Sequence, residues 1–280
     1  MATLSNLQGN GSQELINLNY ASSRISPGLG YPSTQGLSSA DLRHENFSYG
    51  LEELGMRHLG QVYRNLPVPI LVEHALVRGE GRLATNGALC VETGKYTGRS
   101  PKDKFIVEES SSWANIDWNK LNVPISEEKF QQLYRRMLSY IQGRDLYVFD
   151  GYVGADPRYQ FGVRVINEFA WQNLFVHQLF LRPTAAELED HKADFTVISL
   201  PGLQADPEDD GIHSEAFIVL HLGKRLVLVG GTHYAGEMKK SVFSLMNYFM
   251  PQQDVLPMHG AANIGSSRPY GAVFWSFGDG

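Results

Sequence analysis

Between Glu237 and Pro251, Met238, Val242, Leu245, Met246 and Phe249 recur at spacings that lay one apolar stripe along a helix. Glu237, Ser241 and Ser244 fall away from that stripe, and Pro251 ends it. A second helix is expected after Ser126, which caps it ahead of Glu127 and Glu128. Phe130, Leu133, Met137, Leu138 and Ile141 form its inner face, Arg135 and Arg136 point to solvent, and Gly143 closes it. A third is expected to begin near Pro69 and end by Gly79, with Ile70, Leu71, His74 and either Leu76 or Val77 inward. The run FAWQNLFVHQLFL at 169–181 is apolar almost all round. It reads as a buried helix stopped by Pro183, with His177 as a core residue.

Between these helices the period shortens. Asn86-Gly87 predicts a turn before a short strand at Ala88–Val91, and Phe105–Val107 reads as another strand. DLYVFDGYVGAD and YQFGVRVINE predict two successive strands, and DFTVISLPG one more. EAFIVLHLGKRLVLVGG predicts a hairpin turning at Leu222-Gly223-Lys224. A last strand is expected at Ala272–Phe277. Strands alternating with helices make an α/β fold, a mixed sheet with packed helices. QADPEDDG lacks the spacing of a calcium loop and reads as a surface loop. Residues 1–48, rich in Ser, Asn and Gly, read as a flexible N-terminal extension, followed by a short turn within Leu51–Leu59.

Composition narrows the function classes. With 24 Lys and Arg against 30 Asp and Glu the net charge is −6, so nothing draws the whole chain to nucleic acid or an anionic membrane. An anionic substrate must therefore be met by local basic clusters. Cys90 is the single cysteine, which excludes an internal disulfide, and no apolar run is long enough to cross a bilayer. A cytoplasmic location is expected.

Two stretches carry candidate chemistry. TGKYTGRSPKDKFIVEE at 93–109 gathers Lys95, Arg99, Lys102 and Lys104 among turn-forming Gly94, Gly98 and Pro101. This is either a solvated basic loop or an arginine held to grip a carboxylate, and its spacing is not that of a phosphate loop. The second stretch runs GGTHYAGEMKK, where Lys239 and Lys240 fall near a helix start already positive from free backbone N–H groups. Either both are solvated, with Glu237 offsetting their charge, or they face an anion or metal with one held neutral by like charge. His259, in PMHGAANIG, could join a lysine amine on a divalent ion. A zinc reading from His233 and Glu237, i and i+4, lacks both H-E-x-x-H and an obvious third ligand, and a metal hydrolase using His233, Glu237 and His259 is a further reading.

In these stretches the chain resembles the ATP-dependent phosphoenolpyruvate carboxykinases. The matching segments are TGRSPKDKFIV at 97–107, VRVINEFAWQNLFVHQLFLRP at 163–183, GGTHYAGEMKKSVFSLMNYFMP at 230–251 and LPMHGAANIG at 256–265. The resemblance implies a carboxy-lyase of gluconeogenesis that converts oxaloacetate and ATP to phosphoenolpyruvate, carbon dioxide and ADP. Mn²⁺ is expected at its site and Mg²⁺ with ATP, and a monomer is expected. Catalysis would fall to Lys239, Lys240 and Arg99. Arg99, Tyr234 and Lys239 would bind substrate, and Lys240 and His259 would hold the metal. The implied domains are a substrate-binding domain over 49–253 and the beginning of a truncated nucleotide-binding domain over 254–280.

The chain departs from the family pattern at His233, Ala235, Gly260 and Ala261. SSRPYGAVFWSFGDG stands where the family has G-x-S-G-T-G-K-T, with Gly278 and Gly280 as remnants of that phosphate loop. Lacking its Lys-Thr, the chain is expected to be inactive alone. The alternative is a non-catalytic dicarboxylate- or metal-binding module derived from such an enzyme.

Overall fold

The computed structural model describes residues 49–264 and 270–274. The expected extension over 1–48 lies outside the described residues, as do Trp275–Phe277 of the last expected strand. In chain order, a 3₁₀ turn at Leu51–Leu54 leads to β1 (Val62–Arg64), α1 (Val68–Val77), β2 (Gly81–Leu83), β3 (Leu89–Val91) and β4 (Lys104–Val107). Then come β5 (Val123–Ile125), α2 (Glu127–Tyr140), β6 (Leu146–Val153), β7 (Phe161–Asn167), α3 (Ala170–Leu179) and the short α4 (Ala185–Glu189). The chain continues through β8 (Phe195–Leu200), the single turn α5 (Pro207–Asp210), β9 (Phe217–His221), β10 (Leu226–Gly230) and α6 (Gly236–Phe249). It closes with β11 (Gly260–Ile264) and β12 (Tyr270–Phe274).

An eight-stranded mixed sheet in the order β1-β6-β7-β8-β10-β9-β4-β5 forms the centre. Its strands are nearly all apolar because both faces are covered. Alternate residues feed two separate cores. Tyr147, Phe149, Val197, Val227 and Val229 join Leu71, Ala75, Leu174, Met238, Val242 and Leu245 from α1, α3 and α6. Val148, Ile198, Leu226 and Leu228 meet Phe130, Leu133, Met137 and Ile141, the inner side of α2 and the turn that ends it. Each such side chain removed from water stabilises the fold by about 1.5–3 kcal/mol. β11 and β12 pair with each other as an antiparallel ribbon outside that sheet.

One buried charge ties three strands together. Asp150 of β6 is wholly buried and accepts hydrogen bonds from Arg64 Nε of β1 at 2.7 Å and from Arg164 Nε and Nη2 of β7 at 2.7 and 2.8 Å. Burial alone pushes its carboxyl up. The two guanidiniums reverse this and hold it below the usual carboxylate range.

Several expectations need correction. Val77 is 82% exposed and Ile70 is only partly covered, because α1 packs through Leu71 and Ala75, one turn apart, and leaves its last turn outside. Arg136 does not face solvent freely: it pairs with Asp210, which is wholly buried, and donates to Gln204 O at 2.9 Å. The acidic stretch read as a surface loop is thus a capped turn, with Asp206 accepting from Glu208 N and Asp210 turned into the protein. On α6, Glu237 and Ser241 are buried although they lie off the apolar stripe, and Glu237 is met there by Ser100 N from a loop elsewhere in the chain. α3 is buried as expected, yet it carries a polar chain inside: Asn173 donates to Asn167, which donates to Met238 Sδ, and Gln172 donates to His233 O.

Candidate active site

Strand register brings the two candidate stretches to one end of the sheet. Gly230, the last residue of β10, pairs with Phe217, and the adjacent Ile218 pairs with Lys104, the first residue of β4. Because β10 runs antiparallel to β9, the segment after β10 and the loop before β4 emerge side by side. The turn out of β10 depends on Gly231 at φ 67°, where an added Cβ would lie 2.0 Å from Glu215 O. Thr232 Oγ1 then accepts from Tyr234 N, and α6 begins at Gly236 without a side-chain cap. A Cβ on Gly236 would fall 2.4 Å from Tyr234 Cε1, so this glycine makes room for the tyrosine ring.

The Arg99 loop is fastened at several points. Tyr96 Oη donates to Glu215 Oε1 at 2.8 Å, and Lys95 pairs with the same carboxylate. Ser214 Oγ donates to Asp103 Oδ1 at 3.0 Å. Ser100 N donates to Glu237 Oε1 at 2.6 Å, across 137 residues of sequence. Arg99 is exposed, carried between these anchors at the mouth of the site.

Positive groups crowd there. The amine of Lys240 is held below its ordinary pKa by burial first, then by Arg99 and Lys239. The imidazole of His259 is lowered by burial and by the charges of Lys240, Lys239 and Arg99. Both groups bracket one ring: Lys240 Nζ lies 5.5 Å from the Phe243 centroid, and the His259 ring lies 5.6 Å from it, edge to face. The field and the apolar neighbour thus favour neutral nitrogens, the form that can bind a metal. Lys104, half-buried at the start of β4, is likewise lowered by burial and by Arg99, while Glu237 opposes the shift.

The structure brings Arg99, Lys239, Lys240 and His259 into one electrostatic group, with Tyr234 at the foot of the same helix. Gly278 and Gly280 lie outside the described residues. The zinc hydrolase reading is overturned. Among the described residues no cluster of three or more His, Cys, Asp or Glu could hold a metal. Glu237 is engaged by Ser100, and the His233 ring packs on Phe169 with centroids 5.3 Å apart. For Mn²⁺ the donor set fits in kind: two nitrogens, both pushed towards deprotonation.

Sequence reasoning missed Phe243, named Lys104 only as one member of a basic stretch, took Glu237 for an offset to the lysine charges and read α3 as apolar almost all round. An acidic residue two positions ahead of a lysine pair in a first helical turn was the available signal for Glu237. Nothing local marked Gln172, whose partner is 61 residues away.

The fold and this site define a mixed α/β protein that concentrates cationic and nitrogen-donor side chains at the end of its central sheet. The chain belongs to the phosphoenolpyruvate carboxykinase family, whose model matches residues 60–278. It is 58% identical over 233 residues to phosphoenolpyruvate carboxykinase (ATP) 2 of Moorella thermoacetica, covering 83% of this chain and 44% of that protein. To the phosphoenolpyruvate carboxykinase (ATP) of Geobacillus kaustophilus it is 55% identical over 220 residues, 78% of this chain and 42% of the relative. For that of Bacillus cytotoxicus the identity is 52% over 236 residues, 84% and 44% of the two chains. The chain thus spans less than half the length of these relatives. No helix among the described residues is long and apolar enough to cross a membrane.

Proposed function

We propose that this chain carries the substrate- and metal-binding part of an ATP-dependent phosphoenolpyruvate carboxykinase, which decarboxylates and phosphorylates oxaloacetate to phosphoenolpyruvate in gluconeogenesis. The observation that carries the reading is that Lys240 and His259, set about one phenyl ring beside Arg99 and Lys239, both have lowered pKa values, in a chain of this family. Residues 49–253 are the substrate domain in this account, and the nucleotide domain opens after them. Location in the cytoplasm and a monomeric state belong to the same proposal.

Each side chain has a task. The guanidinium of Arg99 presents parallel N–H groups to a carboxylate of oxaloacetate. Tyr234, held close by Gly236, lines that pocket. Lys239, exposed near the start of α6, meets substrate and the transferring phosphoryl group of ATP, where negative charge builds. Lys240 and His259 supply neutral nitrogens to Mn²⁺, with Mg²⁺ accompanying ATP. When bound, the divalent ion supplies Lewis-acid stabilisation of charge on the reacting oxygens.

Titration of the chain with oxalate, a planar dicarboxylate, in the presence of Mn²⁺ tests this reading by calorimetry. Saturable binding is expected, weakened about tenfold or more in Arg99→Ala and by an intermediate amount in Arg99→Lys, which keeps charge but loses the fork. Equal affinity in all three proteins, or no binding in any, would overturn it.

A further inference from the structure

We infer that Glu237 is a positioning residue of this site: its buried carboxylate latches the loop presenting Arg99 onto the helix turn presenting Lys239 and Lys240, with Lys104 as countercharge. This deepens the carboxykinase reading and rests on it for the identity of the ligand.

The geometry is specific. Glu237 is 6% exposed, so its carboxylate is removed from water and needs a partner. That partner is the backbone N–H of Ser100, at 2.6 Å, the residue directly after Arg99. The other anchors of the loop lie three or more residues from Arg99 on either side, at Lys95, Tyr96 and Asp103. Among the described residues, the Glu237 contact is the hydrogen bond that joins the peptide next to the guanidinium-bearing residue to the helix that bears the lysines. Without it, the separation of Arg99 from Lys239 and Lys240 is no longer fixed through a short, rigid path.

The charges around the carboxylate agree with such a role. Burial raises the Glu237 carboxyl above its ordinary pKa; the Ser100 N–H, then Arg99 from the loop and Lys104 from β4, work against that shift, and Asp103 adds to it. Lys104 feels Glu237 in turn. The carboxylate also sits in the first turn of α6, where a negative group complements the helix dipole and offsets repulsion among the cations. It touches neither ligand nor metal in this account and acts through Arg99.

Two variants of the 280-residue chain test the latch, each read by hydrogen exchange at the Ser100 amide and by oxalate titration with Mn²⁺. Glu237→Ala removes the acceptor. It is expected to raise Ser100 exchange and to weaken oxalate about tenfold or more, the loss typical of a hydrogen bond to a charged group. Glu237→Gln keeps a carbonyl acceptor and is expected to retain Ser100 protection, with oxalate affinity within about threefold of the parent.

Parental exchange and affinity in Glu237→Ala would overturn the inference. So would a Glu237→Gln protein that protects Ser100 yet binds as poorly as Glu237→Ala, since charge and not attachment would then matter. Should Glu237→Ala fail to fold, Glu237→Gln decides: Ser100 protection with oxalate affinity within about threefold supports the inference, and protection with a loss of about tenfold or more overturns it. If the parent itself binds no oxalate, the carboxykinase reading fails, and Ser100 exchange alone still judges the latch.

Discussion

At the scale of single residues, the site depends on close approach as much as on charge. Gly236 shows the competition. Alanine restricts the unfolded chain more than glycine does, which by itself favours the folded state, but here the new methyl would strike the Tyr234 ring. Gly236→Ala is therefore expected to leave the thermal midpoint near the parent's while lowering oxalate affinity, as the tyrosine swings aside; unchanged affinity would contradict that placement. The residues bearing nitrogen were legible in the sequence because lysines near a helix start break a simple electrostatic rule, and an arginine between turn-formers stands out. Glu237 was legible only as an acid. Its burial is imposed by a loop 137 residues earlier in the chain, which no helical wheel can display.

Among elements, those with local rules were readable. α2 starts where Ser126 accepts from Lys129 N, and β9 and β10 pair as the two β-rich runs flanking Leu222-Gly223-Lys224 predict. β1 and β5 have three residues each and owe their existence to parallel neighbours, so periodicity could not find them. The acid-rich turn at α5 was misread because its decisive partner, Arg136, sits on another helix. Asp150 supplies the prediction at this scale. Asp150→Ala leaves Arg64 and Arg164 facing each other unpaired and is expected to cost about 3–5 kcal/mol, read from the urea midpoint. The sign with pH follows from its lowered carboxyl. Stabilisation is complete above the unfolded value near 3.8 and is lost as pH falls through the folded one, so parent and variant should converge in acid. A difference independent of pH would argue against a carboxylate-based tie.

At the scale of the molecule, the class of fold was legible from alternating elements, whereas the strand order was not. β6 and β7 are neighbours in sequence and space, but β4 reaches β9 across more than a hundred residues, and that pairing creates the site. A chain with net charge −6 thereby gathers Arg99, Lys239 and Lys240 at one end of its sheet.

The most direct measurement is an electron paramagnetic resonance titration of the chain with Mn²⁺ across pH, repeated in Lys240→Ala and His259→Ala. One bound ion per chain is expected. Its affinity should rise with pH as both nitrogens shed protons, starting below the ordinary lysine range because both pKa values are depressed. Either substitution should lower the affinity about tenfold or more. Mn²⁺ binding that neither variant alters would contradict the account.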